Sequence, residues 1–274
     1  MDGTPHATTP DSERPSPGRI YDWFLNGNDH TAADEKAARM LHEKIPELYY
    51  MAQANRVFLQ RAAGVIARAG IRQFIDLGSG IPTAWNTHEI VQVVDPDARV
   101  VYVDNDPVVI EMSREMLRRR GEKNVAYIDG DIQDPDAILN HPDVRRNIDF
   151  SKPVGHMHIA IWHFVPDQLD PWALLRRYLD SSPSGSHLAL THITADGQRE
   201  EKVKRFYEVY ANATAQLRMR TVRSIDRFFD GLEYLPPCEG AEAGLSFVDI
   251  WGSKNPSEAD PSHTWIPCGV AVKP

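Results

Sequence analysis

The sequence predicts an α/β fold with a doubly wound, mostly parallel sheet of seven strands and helices on both faces. Short, nearly continuous apolar runs alternate with stretches of helical periodicity from residue 73 onward. Continuous apolar runs are typical of strands buried on both faces, and a β-α-β order places helices between parallel strands. A helical pattern without strands precedes the first run, which predicts an N-terminal helical extension.

Proline and glycine punctuate the predicted elements. Proline begins several helical stretches and glycine follows the end of others, which are the positions that these residues favour. The predicted strands cover residues 73–77, 99–103, 125–128, 154–162 and 186–191, with 245–251 and 264–272 as a closing antiparallel pair. The predicted helices between them cover residues 84–94, 107–120, 135–139, 171–179, 200–219 and 224–229.

The chain before the first strand divides into two parts. Residues 1–17 are rich in Pro, Ser, Thr and charge, which predicts a disordered lead-in. Residues 18–70 are predicted to be helical, because Thr31 begins a capping pattern and Pro46 begins a longer helix that Gly70 ends. Residues 71–274 are predicted to form one α/β domain with a helical insert at about 194–230.

The composition argues against several functional classes. The formal net charge of −9 disfavours a nucleic-acid partner, because phosphate backbones attract concentrated Lys and Arg. No apolar run reaches the ~20 residues of a membrane helix, and the N-terminus lacks the apolar stretch of a secretory signal. We therefore expect no membrane partner and a cytoplasmic location, where Cys238 and Cys268 would be unpaired thiols.

The first strand ends in a glycine-containing turn, Asp76-Leu-Gly78-Ser79-Gly80. Glycine lets the backbone turn sharply and approach a ligand closely. The full dinucleotide fingerprint needs a third glycine at position 83, where this chain has Thr83. The turn therefore indicates a nucleotide-type ligand and weakens, without excluding, a nicotinamide dinucleotide.

Carboxylates follow the next two strands. Asp104, with Asn105 beside it, is placed to accept hydrogen bonds from ribose hydroxyls; Asp106 is an alternative that also resembles a helix cap. After the third strand, Asp131 could accept from an adenine amino group, and Ile132 could offer a backbone N–H and an apolar face. A simple turn carboxylate remains an alternative for Asp131.

The fourth strand ends in Ile161-Trp162-His163. A histidine at a strand end can be a general base, or it can be bonded to a loop carbonyl. His156 and His158 share one face of the strand. No carboxylate accompanies them at a useful spacing, so we expect no metal site.

Together these strand ends resemble those of the class I S-adenosylmethionine-dependent methyltransferases. The matching segments are residues 74–80, 101–104, 130–132 and 162–167. A resemblance that extends nearly end to end is to an actinobacterial S-adenosyl methyltransferase family, carried by residues 19–28, 54–59, 70–74 and 228–232. The resemblance implies a Rossmann-like fold and S-adenosylmethionine as cofactor, and it implies no particular acceptor.

The N-terminal helical segment then gains candidate ligand contacts. Residues 21–30, including Tyr21, mix aromatic, amide and acidic side chains. This mixture favours a loop that forms a lid on the ligand site; the alternative is an ordinary segment leading into the next helix. Asn55 is the polar member of an apolar helix face, so it contacts either a ligand or a neighbouring loop. Arg56 could pair with the methionine carboxylate or with a surface acid.

The predicted reaction is methyl transfer to an unidentified, small organic acceptor. Alignment of the acceptor with the methyl group is the main requirement, and a base is needed only for a protonated nucleophile. His163, His192 and His30 are the candidate bases. Two alternatives stay open at this point: a protein that binds S-adenosylmethionine without transferring the methyl group, and an NAD-dependent oxidoreductase.

Overall fold

The computed structural model describes residues 14–83, 85–254 and 264–274. The α-helices are α1 (Pro17–Phe24), α2 (Ala32–His42), α3 (Leu48–Arg68), α4 (Thr87–Val94), α5 (Pro107–Arg120), α6 (Pro135–Leu139), α7 (Pro142–Asn147), α8 (Pro171–Asp180), α9 (Glu200–Tyr210) and α10 (Val222–Asp226). The strands are β1 (Gln73–Leu77), β2 (Arg99–Asp104), β3 (Val125–Asp129), β4 (Gly155–Ile159), β5 (His187–Thr191), β6 (Glu233–Tyr234), β7 (Ser246–Phe247) and β8 (Pro267–Val272).

One mostly parallel sheet organises the molecule. The strand order is β3-β2-β1-β4-β5-β8-β6, with β7 also paired to β8. Strand β8 runs antiparallel to β5, β6 and β7, so the predicted closing pair of β7 and β8 is confirmed. The predicted α/β fold class is also confirmed. The sheet has eight strands among the described residues, where seven were predicted, because two-residue β6 is too short to show an alternating pattern.

The carboxyl ends of β1 and β4 lie side by side. Ile75 of β1 is opposite Val101 of β2 on one side and opposite His156 of β4 on the other. The chain passes through β2 and β3 before it returns to β4, so the strand order reverses between β1 and β4. In open α/β sheets, a crevice forms beyond the carboxyl ends of the strands at such a reversal.

Both faces of the sheet carry a hydrophobic cluster. Ile75 and Leu77 of β1 belong to one cluster, and Phe74 belongs to the other together with Phe58 of α3. This division follows from the alternation of side chains along a strand. Every residue of β1 is buried, as expected for a central parallel strand with helices on both sides.

A third cluster joins the N-terminal helices to α9. It contains Ile20 of α1, Leu41 of α2, Met51 of α3, Phe206 of α9 and the buried Trp265. The predicted helical extension therefore packs against the later helical insert. This packing holds α1 near the carboxyl ends of the strands.

The structure corrects part of the prediction for the N-terminal segment. Residues 1–13 of the predicted lead-in lie outside the described residues, whereas Ser16 is buried and Pro17 begins α1. Residues 21–30 were predicted to be a loop, but Tyr21 to Phe24 belong to α1, because Pro17 favours a first helical turn and the buried Phe24 holds the helix against the core. The capping box predicted at Thr31 is confirmed.

The predicted helix over residues 200–219 ends early, at Tyr210. Beyond it, tertiary contacts engage the backbone amides. The amide of Thr214 donates to the carbonyl of Pro15 at 2.9 Å, and that of Arg218 donates to the carbonyl of His163 at 2.7 Å. Helical periodicity in the sequence does not reveal such competing partners.

Other boundaries also differ. The strand predicted over residues 154–162 is limited to Gly155–Ile159, because Ala160 has a φ of 56° and leaves the extended region. Residue 84, the predicted start of a helix, lies outside the described residues; α4 begins at Thr87, after Asn86 caps it. Helix α7 was not predicted. Among the described residues, no helix has the length and apolar composition that crossing a membrane would require. Both cysteines are free thiols.

Candidate active site

A cavity of about 480 Å³ opens beyond the carboxyl ends of β1, β2, β3 and β4. Helices α1 and α3 form part of its wall, and the segment that follows α9 closes another side. The cavity lies at the reversal of strand order, the position at which open α/β sheets bind ligands. Of the residues predicted from the sequence, the lining includes Tyr21, Asn55, Arg56, Asp76, Gly78, Ser79, Gly80, Asp104, Asn105, Asp131, Ile132, Ile161 and His163.

The turn after β1 brings backbone to the cavity wall. Gly78 and Gly80 have φ values of 71° and 62°, in the left-handed region that favours glycine. A Cβ atom on Gly78 would lie 2.5 Å from Cδ1 of Ile161, so no side chain fits there. The hydroxyl of Ser79 is buried and has no hydrogen-bond partner among the described residues.

Asp104 fastens this turn to the end of β2. One carboxylate oxygen accepts the amide N–H of Gly80 at 2.8 Å, and the other accepts that of Asp106 at 3.0 Å. Burial raises the pKa of Asp104, and the neighbouring Asp106 carboxylate raises it further. Each oxygen of a carboxylate has a second lone pair, so Asp104 can accept further hydrogen bonds.

Asp106 has a structural role at the same edge. Its side chain accepts the amide N–H of Val108 at 3.0 Å and caps α5, as the sequence suggested. It also accepts the hydroxyl of Ser16 at 2.8 Å and Nη1 of Arg19 at 2.7 Å. These bonds join α1 to the sheet.

Helix α1 covers the cavity beside the glycine turn. A Cβ atom on Gly18 would lie 3.7 Å from Cα of Gly80, so the two backbones are nearly in contact. Arg19 is 3% exposed and bridges Asp106 to Asp34 of α2, whose carboxylate lies 2.8 Å from Nε of Arg19. Pro17 and Gly18 also line the cavity, although neither was predicted to do so; position 17 was predicted to belong to the lead-in. Proline at the start of a helical pattern was the available signal.

Helix α3 contributes the amide and cation predicted from the sequence. The side-chain N–H of Asn55 donates to the hydroxyl of Tyr21 at 2.9 Å, so the structural alternative for Asn55 is real. Its Oδ1 is nevertheless buried without a hydrogen-bond partner among the described residues. Nη2 of Arg56 donates to Oδ1 of Asn86 at 2.7 Å. Burial raises the pKa of Tyr21 to about 12, so this phenol stays protonated.

Asp76 is the most buried of the carboxylates that line the cavity. It is 4% exposed, and Oδ2 accepts the hydroxyl of Thr87 at 2.6 Å. Burial raises its pKa to about 6, against a lowering by Thr87 and Arg56. A buried carboxylate whose charge is incompletely compensated favours a cationic ligand group.

The end of β3 forms a more open part of the wall. Asp131 is exposed and its carboxylate accepts the amide N–H of Gln133 at 2.9 Å, as a turn residue would. Ile132 is buried beside it, and its carbonyl accepts the hydroxyl of Tyr178 at 2.9 Å. An apolar side chain and a carboxylate thus lie at one edge of the cavity.

His163 lines the cavity at the end of β4, within a short 3-10 helix. Nδ1 of its ring is buried without a hydrogen-bond partner among the described residues, so Nε2 is the nitrogen available to a ligand. Burial lowers the pKa of His163 to about 3, and the Arg220 guanidinium contributes to the lowering. The ring is therefore neutral at neutral pH and can accept a hydrogen bond.

The family whose model matches this chain is described as S-adenosyl methyltransferase, and the match covers residues 4–274. The chain belongs to this S-adenosyl methyltransferase family. Two crystal structures are similar to it over nearly its whole length. One is a DUF574 family protein from Streptomyces avermitilis, at 38% identity and a TM-score of 0.89, covering 97% of this chain and 100% of that one. The other is a proposed methyltransferase from Thermobifida fusca, at 34% identity and a TM-score of 0.87, covering 99% of each chain. No curated protein matches the chain.

Three predicted residues of the methyltransferase do not line the cavity. His192 is fully buried, with Nε2 at 2.8 Å from Nη1 of Arg220 and Nδ1 bonded to a backbone carbonyl. His30 lies 3.0 Å from the carboxylate of Asp22. The indole of Trp162 donates to a buried histidine of β4. These contacts give all three residues structural partners away from the cavity.

No metal site accompanies the histidines of the methyltransferase within the described ranges, where no group of three or more His, Cys, Asp and Glu side chains is placed to hold an ion. His156 and His158 are both fully buried on β4, and burial lowers the pKa of each. Their neighbours are Ser182 and Trp162. They therefore belong to the core of the methyltransferase.

Proposed function

We propose that this methyltransferase binds S-adenosylmethionine in the cavity at the carboxyl ends of β1 to β4 and transfers its methyl group to a small-molecule acceptor. The observation that carries the proposal is the convergence of Asp76, Asp104, Asp131 and the glycine turn on one cavity. The family membership supports methyl transfer, and it favours this reaction over NAD-dependent oxidation.

The residues present fit the two ends of the nucleoside. Asp104 holds the glycine turn with one lone pair of each oxygen, and the remaining lone pairs suit the two ribose hydroxyls. Asp131 and Ile132, one strand further along the sheet, suit the amino group and the face of an adenine ring.

The residues around β1 and α3 fit an amino-acid group. Asp76, with its raised pKa, suits an ammonium, and the unpartnered Oδ1 of Asn55 offers a second acceptor nearby. Arg56 lines the same wall and suits a carboxylate. The methionine part of the cofactor carries both of these groups. When bound, the cofactor supplies a methyl group activated by a positively charged sulfur.

The protein's own contribution is alignment and exclusion of water. We propose that α1, which lies against Gly80 and contains the first four residues of the predicted lid segment 21–30, acts as a lid over the cavity. His163 is the candidate base that reaches the cavity, and its Nε2 can take a proton from the molecule that receives the methyl group. Because His192 and His30 lie outside the lining, the proposal assigns them no proton transfer.

Calorimetry tests the cofactor assignment. We expect the protein to bind S-adenosylhomocysteine and not NAD, and Asp104→Asn to weaken binding by about 1.5–3 kcal/mol, the range for hydrogen bonds to charged groups. Asparagine keeps one oxygen acceptor, whereas alanine would also release the amide N–H groups of Gly80 and Asp106. The matched control is Asp97→Asn, at an exposed position outside the cavity lining.

Two results would contradict the proposal: binding of NAD in the absence of S-adenosylhomocysteine binding, or unchanged affinity in a folded Asp104→Asn protein. Consumption of S-adenosylmethionine with a methylated product distinguishes the enzyme from a protein that only binds the cofactor.

A further inference from the structure

The charged groups of the cavity are confined to one side. The formally charged lining residues are Arg19, Arg56, Asp76, Asp104, Asp106 and Asp131, and all of them lie on α1, on α3 or at the ends of β1, β2 and β3. The lining residues from the end of β4 are Ile159, Ala160, Ile161, His163, Phe164 and Val165. Those from α9 and the segment after it are Tyr210, Thr214 and Ala215. Neither set carries a formal charge at neutral pH, because His163 is neutral. We call the two sets together the β4 wall.

The β4 wall combines aromatic rings with aliphatic side chains. The rings of His163 and Phe164 are 4.5 Å apart between centroids, and Phe164 lies 5.9 Å from Tyr210. Aromatic side chains favour flat ring partners, through offset or edge-to-face contacts. A charged group buried here would lose its hydration without gaining an ionic partner, which is costly. The wall therefore favours a flat, uncharged molecule.

Two polar groups of the β4 wall have unmet hydrogen-bonding capacity. Neither ring nitrogen of His163 bonds to another side chain or carbonyl among the described residues, and the ring is 7% exposed. The hydroxyl of Tyr210 also has no hydrogen-bond partner within the described ranges, and burial alone raises its pKa. A neutral imidazole accepts an O–H, and a phenol both donates and accepts. A hydroxyl on the bound molecule would supply the donor that Nε2 of His163 lacks, and the hydroxyl of Tyr210 offers a second polar contact in the same wall.

We propose that the methyl acceptor is an uncharged planar aromatic compound with a ring hydroxyl, which packs against Phe164 and Tyr210 and donates its O–H to Nε2 of His163. This inference rests on the proposed function. It adds the chemical class of the acceptor and the atom that is methylated.

The proposed step transfers one methyl group and one proton. The hydroxyl oxygen forms the new bond to the methyl carbon, and the carbon–sulfur bond breaks with its electron pair remaining on sulfur. The O–H bond breaks and its proton passes to Nε2 of His163, so the positive charge moves from sulfur to the imidazolium and then to solvent. A weak base suffices, because an oxygen that has gained a methyl group while still protonated is a very strong acid.

The experiment uses the full chain saturated with S-adenosylhomocysteine and three probes of similar size. 2-Naphthol has the flat ring and the neutral hydroxyl, 2-naphthoate replaces the hydroxyl with a charge, and decahydro-2-naphthol keeps the hydroxyl without the flat ring. We expect 2-naphthol to bind at least about tenfold more tightly than either analogue, which corresponds to the ~1.4 kcal/mol of one good contact. With S-adenosylmethionine, mass spectrometry should detect 2-methoxynaphthalene.

Three variants locate the binding. His163→Leu and the more conservative Tyr210→Phe should each weaken 2-naphthol binding while S-adenosylhomocysteine still binds. Tyr207→Phe is the matched control on the same helix, since Tyr207 is 38% exposed and lies outside the lining. The inference is overturned if 2-naphthol fails to bind the S-adenosylhomocysteine complex, if either analogue binds as tightly, or if the control weakens binding equally. A protein that binds no S-adenosylhomocysteine would instead overturn the proposed function and this inference with it.

Discussion

The ion pair between Arg19 and Asp106 helps to hold α1 to the sheet, and Asp106→Asn removes it together with the bond that the same carboxylate oxygen accepts from the hydroxyl of Ser16. Asparagine retains the side-chain oxygen that caps α5, and it is as good a cap as aspartate. The substitution therefore removes the negative charge beside Arg19 and leaves the cap in place. Arg19 keeps its second partner, Asp34.

The burial of this ion pair determines how much stability the substitution removes. Arg19 is 3% exposed and Asp106 is 15% exposed, and their atoms are 2.7 Å apart. Loss of a hydrogen bond between charged groups costs about 1.5–3 kcal/mol, and loss of a partner from a wholly buried pair costs up to about 5 kcal/mol. Because Asp34 still neutralises Arg19, we expect the free energy of unfolding to fall by about 1.5–3 kcal/mol. We also expect faster dissociation of S-adenosylhomocysteine, since α1 would be less firmly held over the cavity.

Urea unfolding and stopped-flow dissociation measure the two effects. The control is Asp95→Asn, which breaks a pair with Arg72 whose side chains are 31% and 46% exposed; exposed pairs contribute about 0–1 kcal/mol. If Asp106→Asn destabilises the protein no more than Asp95→Asn, the pair does not anchor α1. If stability falls while the dissociation rate is unchanged, α1 is anchored but does not gate the cavity.

Two further predictions concern the glycine turn and the buried histidines. Gly78→Ala should lower the free energy of unfolding by more than Gly121→Ala, because both positions have left-handed φ values (71° and 64°) but only the Cβ atom at Gly78 meets another side chain. Backbone strain costs each variant about 1–2 kcal/mol, and overpacking against Ile161 costs Gly78→Ala about 1–3 kcal/mol more. Urea unfolding measures both losses, and equal losses would contradict the close approach of Gly78 to Ile161. His156 has its pKa lowered by burial from 6.5 to about 3, so the unfolded state binds the proton first and stability is lost as pH falls below 6.5. At pH 5 the loss of stability amounts to about 2 kcal/mol. Between pH 7 and 5, the free energy of unfolding of His156→Gln should therefore decline by about 2 kcal/mol less than that of the unsubstituted protein; parallel curves would contradict this prediction.

The strand ends could be predicted from the sequence because their signals are local. A buried parallel strand is a short apolar run, and the first polar residue after it lies at the carboxyl edge of the sheet. Asp104 is such a residue, and Asp131 lies in the turn just beyond the next strand; both line the cavity. Position 83 is a threonine where the dinucleotide fingerprint has its third glycine. This difference argued against a dinucleotide, in agreement with membership of the S-adenosyl methyltransferase family.

The remaining features depend on contacts between distant segments. Asp106 looks like a helix cap in the sequence and is one, but its bonds to Ser16 and Arg19 span 90 and 87 residues and leave no local pattern. The same holds for His192, which follows β5 and looks like a candidate base. Its ring lies against Arg220, 28 residues further along the chain, and this contact removes it from the cavity.

The division of charge within the cavity gives a physical reason for release of the products of the proposed reaction. Burial raises the pKa values of Asp76 and Asp104, so a ligand with positive charge is stabilised on their side more than a neutral one. Methyl transfer removes the charge from sulfur while the uncharged β4 wall receives a neutral ether in place of a neutral hydroxyl compound. The product pair therefore loses an attraction to the carboxylates and the hydrogen bond to His163. Both losses favour release of the products over their retention once His163 has passed its proton to solvent.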